Sequence, residues 1–178
     1  EVSEALTQID RIIQRQLKRA SAGKSGWQSA IDVEPIFHKL ADAMDKVYQD
    51  KGLTIEFDIE TDTKFKGDET DLMELCGNVL DNACKAAKST ITVTAVMADS
   101  WLKIQIDDDG PGIPEDKKVL LLERGTRLDT YSEGHGIGMA LVADLVAIYE
   151  GRMHIEDSEL GGASIIVEFP NHITPRLI

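Results

Sequence analysis

Along residues 1–20, EVSEALTQIDRIIQRQLKRA, the positions Val2, Leu6, Ile9, Ile13, Gln16 and Ala20 recur at alternating steps of four and three. That is the a/d spacing of a coiled coil or four-helix bundle, and a lone helix cannot bury such a seam. Residues 1–22 therefore read as a bundle helix that wants partners, or as a helix packed on its own globular domain. The stretch SAGKSGWQS (21–29) is small, polar and Gly-containing, so residues 23–29 read as a linker. A globular domain over 30–172 follows, with 173–178 as a tail.

Within that domain Asp32 can cap a helix and Pro35 fits its first turn. Ile36, Leu40, Ala43, Met44 and Val47 share one face, which predicts a helix to about Lys51, stopped by Gly52. LTIEFDIE (53–60) alternates as a half-buried strand does. Residues 68–88 predict a strongly amphipathic helix. TITVTAV and WLKIQID predict two strands joined by MADS as a hairpin. A short helix near 115–123, a polar stretch over 124–136, a helix over 136–149 and two strands around the turn ELGGA complete the pattern. The order is not the strict strand–helix alternation of a doubly wound parallel sheet. It predicts an α/β fold with a mixed sheet and helices on one face, a two-layer α/β sandwich preceded by one bundle helix.

The length of 178 residues suits one domain plus a small extra element, and 42% hydrophobic with 29% charged residues is an ordinary soluble composition. No apolar run is long enough to span a bilayer, and no signal-peptide pattern opens the chain, so the piece reads as soluble, compatible with the cytosolic part of a membrane protein. The net charge of −13 comes with no basic stripe, which argues against a nucleic-acid partner. Cys76 and Cys84 would lie about 12 Å apart on one helix, beyond the roughly 7 Å a disulfide allows. They read as reduced core thiols of a cytosolic protein, with no His or third Cys spaced for a metal.

Three segments carry chemistry. DDDGPGIP (107–114) places Asp108 at a strand end before Gly110 and Gly112, where a buried carboxylate could accept from an exocyclic amine such as that of adenine. An acidic surface turn fits the same letters, whereas an EF-hand does not, for lack of alternating ligands and a terminal Glu. EGHGIGMAL (133–141) sets Gly134, Gly136 and Gly138 against a helix start, a suitable cradle for phosphate oxygens, although neither P-loop nor Rossmann spacing is present. In ELCGNVLDNACKAA (74–87), Asn78, Asn82 and Lys85 fall at i, i+4 and i+7 on one helix face. They are a solvated edge or a polar stripe facing magnesium and phosphate.

Together these segments resemble the N-box, G1 box and G2 box of the GHKL ATP-binding superfamily. The similarity covers most of residues 30–170 and fits best the catalytic domain of sensor histidine kinases, with GNVLDNACK, DDGPGIP, the RG-x-R segment (Arg124, Arg127) and LGGA closest to PhoQ-type kinases. The resemblance implies a Bergerat fold with three helices on one sheet face. It implies ATP and Mg²⁺ as cofactors, with Asp108 on adenine and Asp109 as a turn residue. Asn78 and Asn82 would hold the metal, and Lys85 would face phosphate. Gly110, Gly112 and Ile113 would line the pocket, and 122–136 would form a lid in which Gly134, His135, Gly136, Ile137 and Gly138 wrap the phosphates. Arg127 would steady the transferring phosphoryl group. The departures are Ala86 where an aromatic often follows the lysine, Leu122 where a Phe is usual, and His135 where a Gln is usual.

The gyrase-like and chaperone ATPases of the superfamily need a general base where this chain has Asn78, and an amide cannot serve; Glu74 lies one further turn away. Phosphoryl transfer to a protein nucleophile is thus favoured over hydrolysis. None of His38, His135, His154 and His172 has the setting of a phosphoacceptor. The resemblance then implies that residues 1–22 are the second half of a dimerisation hairpin, with the acceptor His outside this chain. It also implies a homodimer, a response-regulator partner and a parent in the bacterial inner membrane. The alternatives are a Ser/Thr kinase of anti-sigma-factor type and a nucleotide-gated interaction module.

Overall fold

A computed structural model describes residues 30–123 and 136–171, together with Ile13 and Leu17, which are helical and exposed. The elements in chain order are β1 (Ala30–Asp32), α1 (Val33–Val47), a 3₁₀ turn (Gln49–Lys51), β2 (Thr54–Ile59), β3 (Lys64–Lys66), α2 (Glu69–Ala86), β4 (Thr90–Ala98), β5 (Trp101–Asp108), α3 (Glu115–Glu123), α4 (Gly136–Ile148), β6 (Arg152–Asp157) and β7 (Ala163–Pro170).

Five strands form one mixed sheet in the order β2-β4-β5-β7-β6. Only β2 and β4 run parallel; the other three pairings are antiparallel. The pleat sorts side chains by parity. Leu102, Ile104 and Ile106 of β5 point to the core with Ile91, Val93 and Ala95 of β4, while Thr92, Thr94, Lys103 and Gln105 line the opposite face, half-buried. Helices α1, α2 and α4 bury Phe37, Leu40, Leu72, Leu80, Val142 and Leu145 in the same cluster as those strands. The result is the two-layer α/β sandwich that the pattern predicts.

Three local readings change. Ala30–Asp32 is a short strand, paired antiparallel with β3, that leads straight into the predicted helix. Asp32 occupies the N-cap position of α1 but makes no side-chain cap; Lys64 draws its carboxylate away at 2.9 Å. The first helix ends at Val47, and the tightened turn Gln49–Lys51 closes at Gly52 with φ +62°. The hairpin is also tighter than MADS: β4 and β5 pair as far as Ala98 and Trp101, so Asp99 and Ser100 turn the chain, both at positive φ (49° and 63°). Two left-handed residues match the twist of the flanking strands.

Candidate functional site

The site begins with the parity of β5. Asp108 is the next inward position after Leu102, Ile104 and Ile106, so the pleat drives a carboxylate into the core-facing row, where it is 4% exposed. Its Oδ1 accepts from Gly110 N at 2.8 Å and from Ala163 N at 3.3 Å. Burial raises its pKa, outweighing the lowering by those two amides, and the neighbouring Asp109 and Asp107 charges push the same way. A partly desolvated carboxylate with unused acceptor capacity suits a ligand that donates hydrogen bonds.

Asp109 points the other way, as a turn residue should. Its carboxylate accepts from Lys88 N (2.7 Å), Ser89 N (3.1 Å) and Ser89 Oγ (2.7 Å), pinning the loop to the α2–β4 connection. Burial would raise its pKa, but the hydrogen bonds from Ser89, Thr90 and Lys88 overcome this and hold it well below the usual carboxylate range.

Glycines keep the floor of the site open. A Cβ on Gly162 would fall 2.1 Å from Asp108 Oδ1 and 2.6 Å from Gly110 N; one on Gly110 would fall 2.4 Å from the Ala86 carbonyl. Gly162 N also donates to the Asp108 carbonyl at 3.1 Å. Sequence reasoning missed Gly162 as a site residue because GG read as a turn; the signal was its pairing with a second glycine beside a β7 start that registers with Asp107. Gly112 has φ +78°, and Ile113 packs half-buried on the core.

On α2 the stripe behaves as its spacing predicts. Asp68 caps the helix, accepting from Asp71 N. Leu72, Leu75, Cys76, Val79, Leu80, Ala83 and Cys84 bury one face. On the adjoining face, Asn78, Asn82 and Ala86 stand one turn apart. Ala86 meets Gly110 at one end of the row, and Asn78 Oδ1 lies 3.0 Å from where a Gly138 Cβ would sit at the other. The row thus runs about 12 Å from the loop after β5 to the first turn of α4. Asn78 Nδ2 donates to the Glu74 carbonyl at 2.7 Å, leaving its oxygen toward α4. Among the described residues Asn82 Nδ2 is buried with no hydrogen-bond partner. A buried N–H donor costs stability unless an acceptor meets it, so this atom asks for an acceptor such as a phosphate oxygen or a bound water.

Lys85 stands at the flank of the row, its Nζ 2.8 Å from Asp81. Both cysteines are free and buried, and burial pushes the Cys84 thiol up to about 12, too high for a nucleophile. His38 meets Phe57 at a 54° tilt, ring centres 4.8 Å apart, and His154 faces Glu168 at 3.7 Å. Gly136 and Ile137 open α4. Arg124, Arg127, Gly134 and His135 lie outside the described residues, as does most of the segment read as a lid. Among the described residues no cluster of His, Cys, Asp and Glu could hold a metal ion by itself. The donor set here is instead a pair of asparagine amides, which fits a hard divalent cation that keeps water and phosphate as its other ligands.

Residues 67–173 match the family described as histidine kinase-, DNA gyrase B-, and HSP90-like ATPase. The sensor protein PhoQ of Escherichia coli O157:H7 is 40% identical over 177 residues, which cover 96% of this chain and 36% of PhoQ. The chain thus spans about a third of the length of the curated relatives it matches. Among solved structures, full-length ShkA in complex with AMPPNP superposes with a TM-score of 0.70 at 22% identity, over 96% of this chain and 37% of that one. The mycobacterial sensor histidine kinase MprB gives 0.66 at 25% identity, over 82% and 99%.

Proposed function

The chain belongs to the family of histidine kinase-, DNA gyrase B- and HSP90-like ATPases, and from that membership we propose that it is the ATP-binding catalytic portion of a two-component sensor histidine kinase. The observation that carries this is the row from Gly138 to Gly110: two asparagines, one with an unpartnered buried amide, lead to a buried carboxylate floored by glycine. Asp108 receives the adenine amine, Asn78 and Asn82 face Mg²⁺ and the phosphates, and Lys85 and Arg127 neutralise phosphate charge. Gly134, His135, Gly136, Ile137 and Gly138 close over the phosphates. Magnesium, when bound, would neutralise phosphate charge, and these residues would hold it and the nucleotide in place.

A histidine outside this chain attacks the γ-phosphorus, and ADP leaves with the electron pair of the broken P–O bond. Asn78 stands where a hydrolase needs a base, and Glu74 is exposed a turn away, so water is a poor acceptor here. Full resemblance to the PhoQ relatives would place the domain on the cytoplasmic side of an inner-membrane sensor, a dimer through residues 1–22, with a response regulator downstream. Among the described residues no helix is long and apolar enough to cross a membrane.

The test is calorimetric titration with an ATP analogue, with and without Mg²⁺, beside Asp108→Asn. Mg²⁺-assisted binding that the variant weakens about tenfold or more is expected. Binding that survives Asp108→Asn unchanged would sink the adenine assignment. Phosphate passed to a supplied hairpin carrying the acceptor His separates a kinase from a bare nucleotide-gated module.

A further inference from the structure

Lys85 has a competitor for phosphate built into its own helix. At 100° per residue, Lys85 lies about 20° around α2 from Asn78 and about 60° from Asn82, while Asp81 lies about 100° from Asn82 on the far flank. The Lys85 ammonium is drawn to that flank, 2.8 Å from Asp81 Oδ2. The other oxygen, Asp81 Oδ1, accepts from Tyr48 Oη at 2.5 Å, a bond from the end of α1. The same seam is fixed below by Lys51, whose Nζ donates to the Cys84 and Lys85 carbonyls at 2.7 and 2.9 Å, capping the C-terminus of α2. Asp81 therefore does not wander with its lysine: its position is set from α1, and the lysine comes to it. A free i,i+4 pair on a helix surface is weak because both side chains must be ordered; here one of the two is ordered already.

We propose that Asp81 is a positioning residue that holds Lys85 away from the nucleotide phosphates, so that binding a polyphosphate requires the ammonium to exchange one anion for another. The proposal rests on the nucleotide reading above and adds a specificity term to it. The cost of breaking the pair is the same for every nucleotide, but only a ligand with phosphate beyond the α position brings an anion that the freed lysine can take. Asp81 thereby lowers affinity for di- and triphosphates toward that of a monophosphate, and keeps the site from filling at low ATP.

The experiment uses the whole chain and calorimetry with Mg·ATP, Mg·ADP and AMP, on the native protein, Asp81→Asn, Lys85→Met and the double variant. Asparagine keeps an oxygen for Tyr48 and the length of the side chain, and circular dichroism checks that the fold is kept. Asp81→Asn is expected to tighten ATP binding about two- to fivefold, the scale of an exposed ion pair plus one removed negative charge. The gain should be smaller for ADP, negligible for AMP and reduced at high salt. In the Lys85→Met background the gain should vanish. Unchanged or weaker ATP binding by Asp81→Asn overturns the proposal, and so does a gain that persists without Lys85, because the carboxylate would then be acting on phosphate directly. If the native chain binds no nucleotide, the nucleotide reading fails and this inference with it; if it binds and Asp81→Asn changes nothing, only this inference fails.

Discussion

Asp108 and Asp109 are neighbours in sequence with opposite surroundings, and their protonation follows. Asp108 is pushed up by burial and Asp109 is held down by four donors from the α2–β4 turn. A depressed carboxylate adds stability above its unfolded pKa of about 3.9 and loses it as pH falls through the folded value. Asp109→Ala should therefore cost about 1–2 kcal/mol at neutral pH, after discounting for its solvent contact. The gap in denaturation midpoint from the native chain should narrow on acidification; a gap that does not change with pH would refute the clamp. The sign reverses for Asp108. Its raised pKa favours the folded state below the ordinary carboxylate range, and that contribution fades as pH rises, so Asp108→Asn should leave the ligand-free chain as stable or more stable near neutrality. Gly162→Ala tests the floor: a methyl group 2.1 Å from Asp108 Oδ1 must displace the carboxylate or the β7 start. Nucleotide affinity should drop about tenfold or more, while core packing away from the loop is retained, as read by near-ultraviolet dichroism.

At the scale of elements, the site depends on how α4 is anchored to α2. One end of α4 meets Asn78 through Gly138. The other end is tied by Tyr149, whose hydroxyl donates to Asp71 at 2.6 Å and accepts from Asp68 N at 3.1 Å. Phe65 and Phe169 meet the same ring edge-on at 5.0 and 6.2 Å. Tyr149→Phe keeps the aromatic packing and removes the buried hydroxyl, so a loss of about 1–3 kcal/mol is expected in urea unfolding, with weaker nucleotide binding because α4 carries Gly138. Wild-type stability in that variant would show the hydroxyl to be idle. These elements differ in how readable they were. Helix α2 was plain because its apolar face repeats over five turns and Asp68 caps it. The inward turn of Asp108 was also readable, since it continues the two-residue period of Leu102, Ile104 and Ile106. The β1–β3 pair was not: each strand has three residues, too few to show a period, and β1 runs directly into the helix start that Asp32 and Pro35 mark. Gly162 was hidden for another reason. Its role comes from a contact with residues some fifty positions earlier in the chain, which no local pattern carries.

For the whole molecule, the prediction concerns what the chain does alone. His38 meets Phe57 and lies 3.5 Å from Glu34, and His154 lies 3.7 Å from Glu168; neither sits on the dimerisation hairpin that would present an acceptor to the nucleotide. Incubated with radiolabelled ATP, the chain should show no acid-labile phosphate, and label should appear on an added acceptor hairpin. Label on the chain itself would overturn the assignment of the acceptor to another segment. The two outer strands have a consequence for how copies of the molecule meet. Among the described residues, β2 and β6 each pair on one side only. A bare strand margin is a template for cross-molecular pairing. Here β2 exposes Glu56 and Asp58, and β6 ends in Glu156 and Asp157. Two copies brought together along β2 would oppose like charges, so Glu56 and Asp58 guard that margin against cross-molecular pairing. Neutralising Glu56 and Asp58 together is the change that would remove that guard.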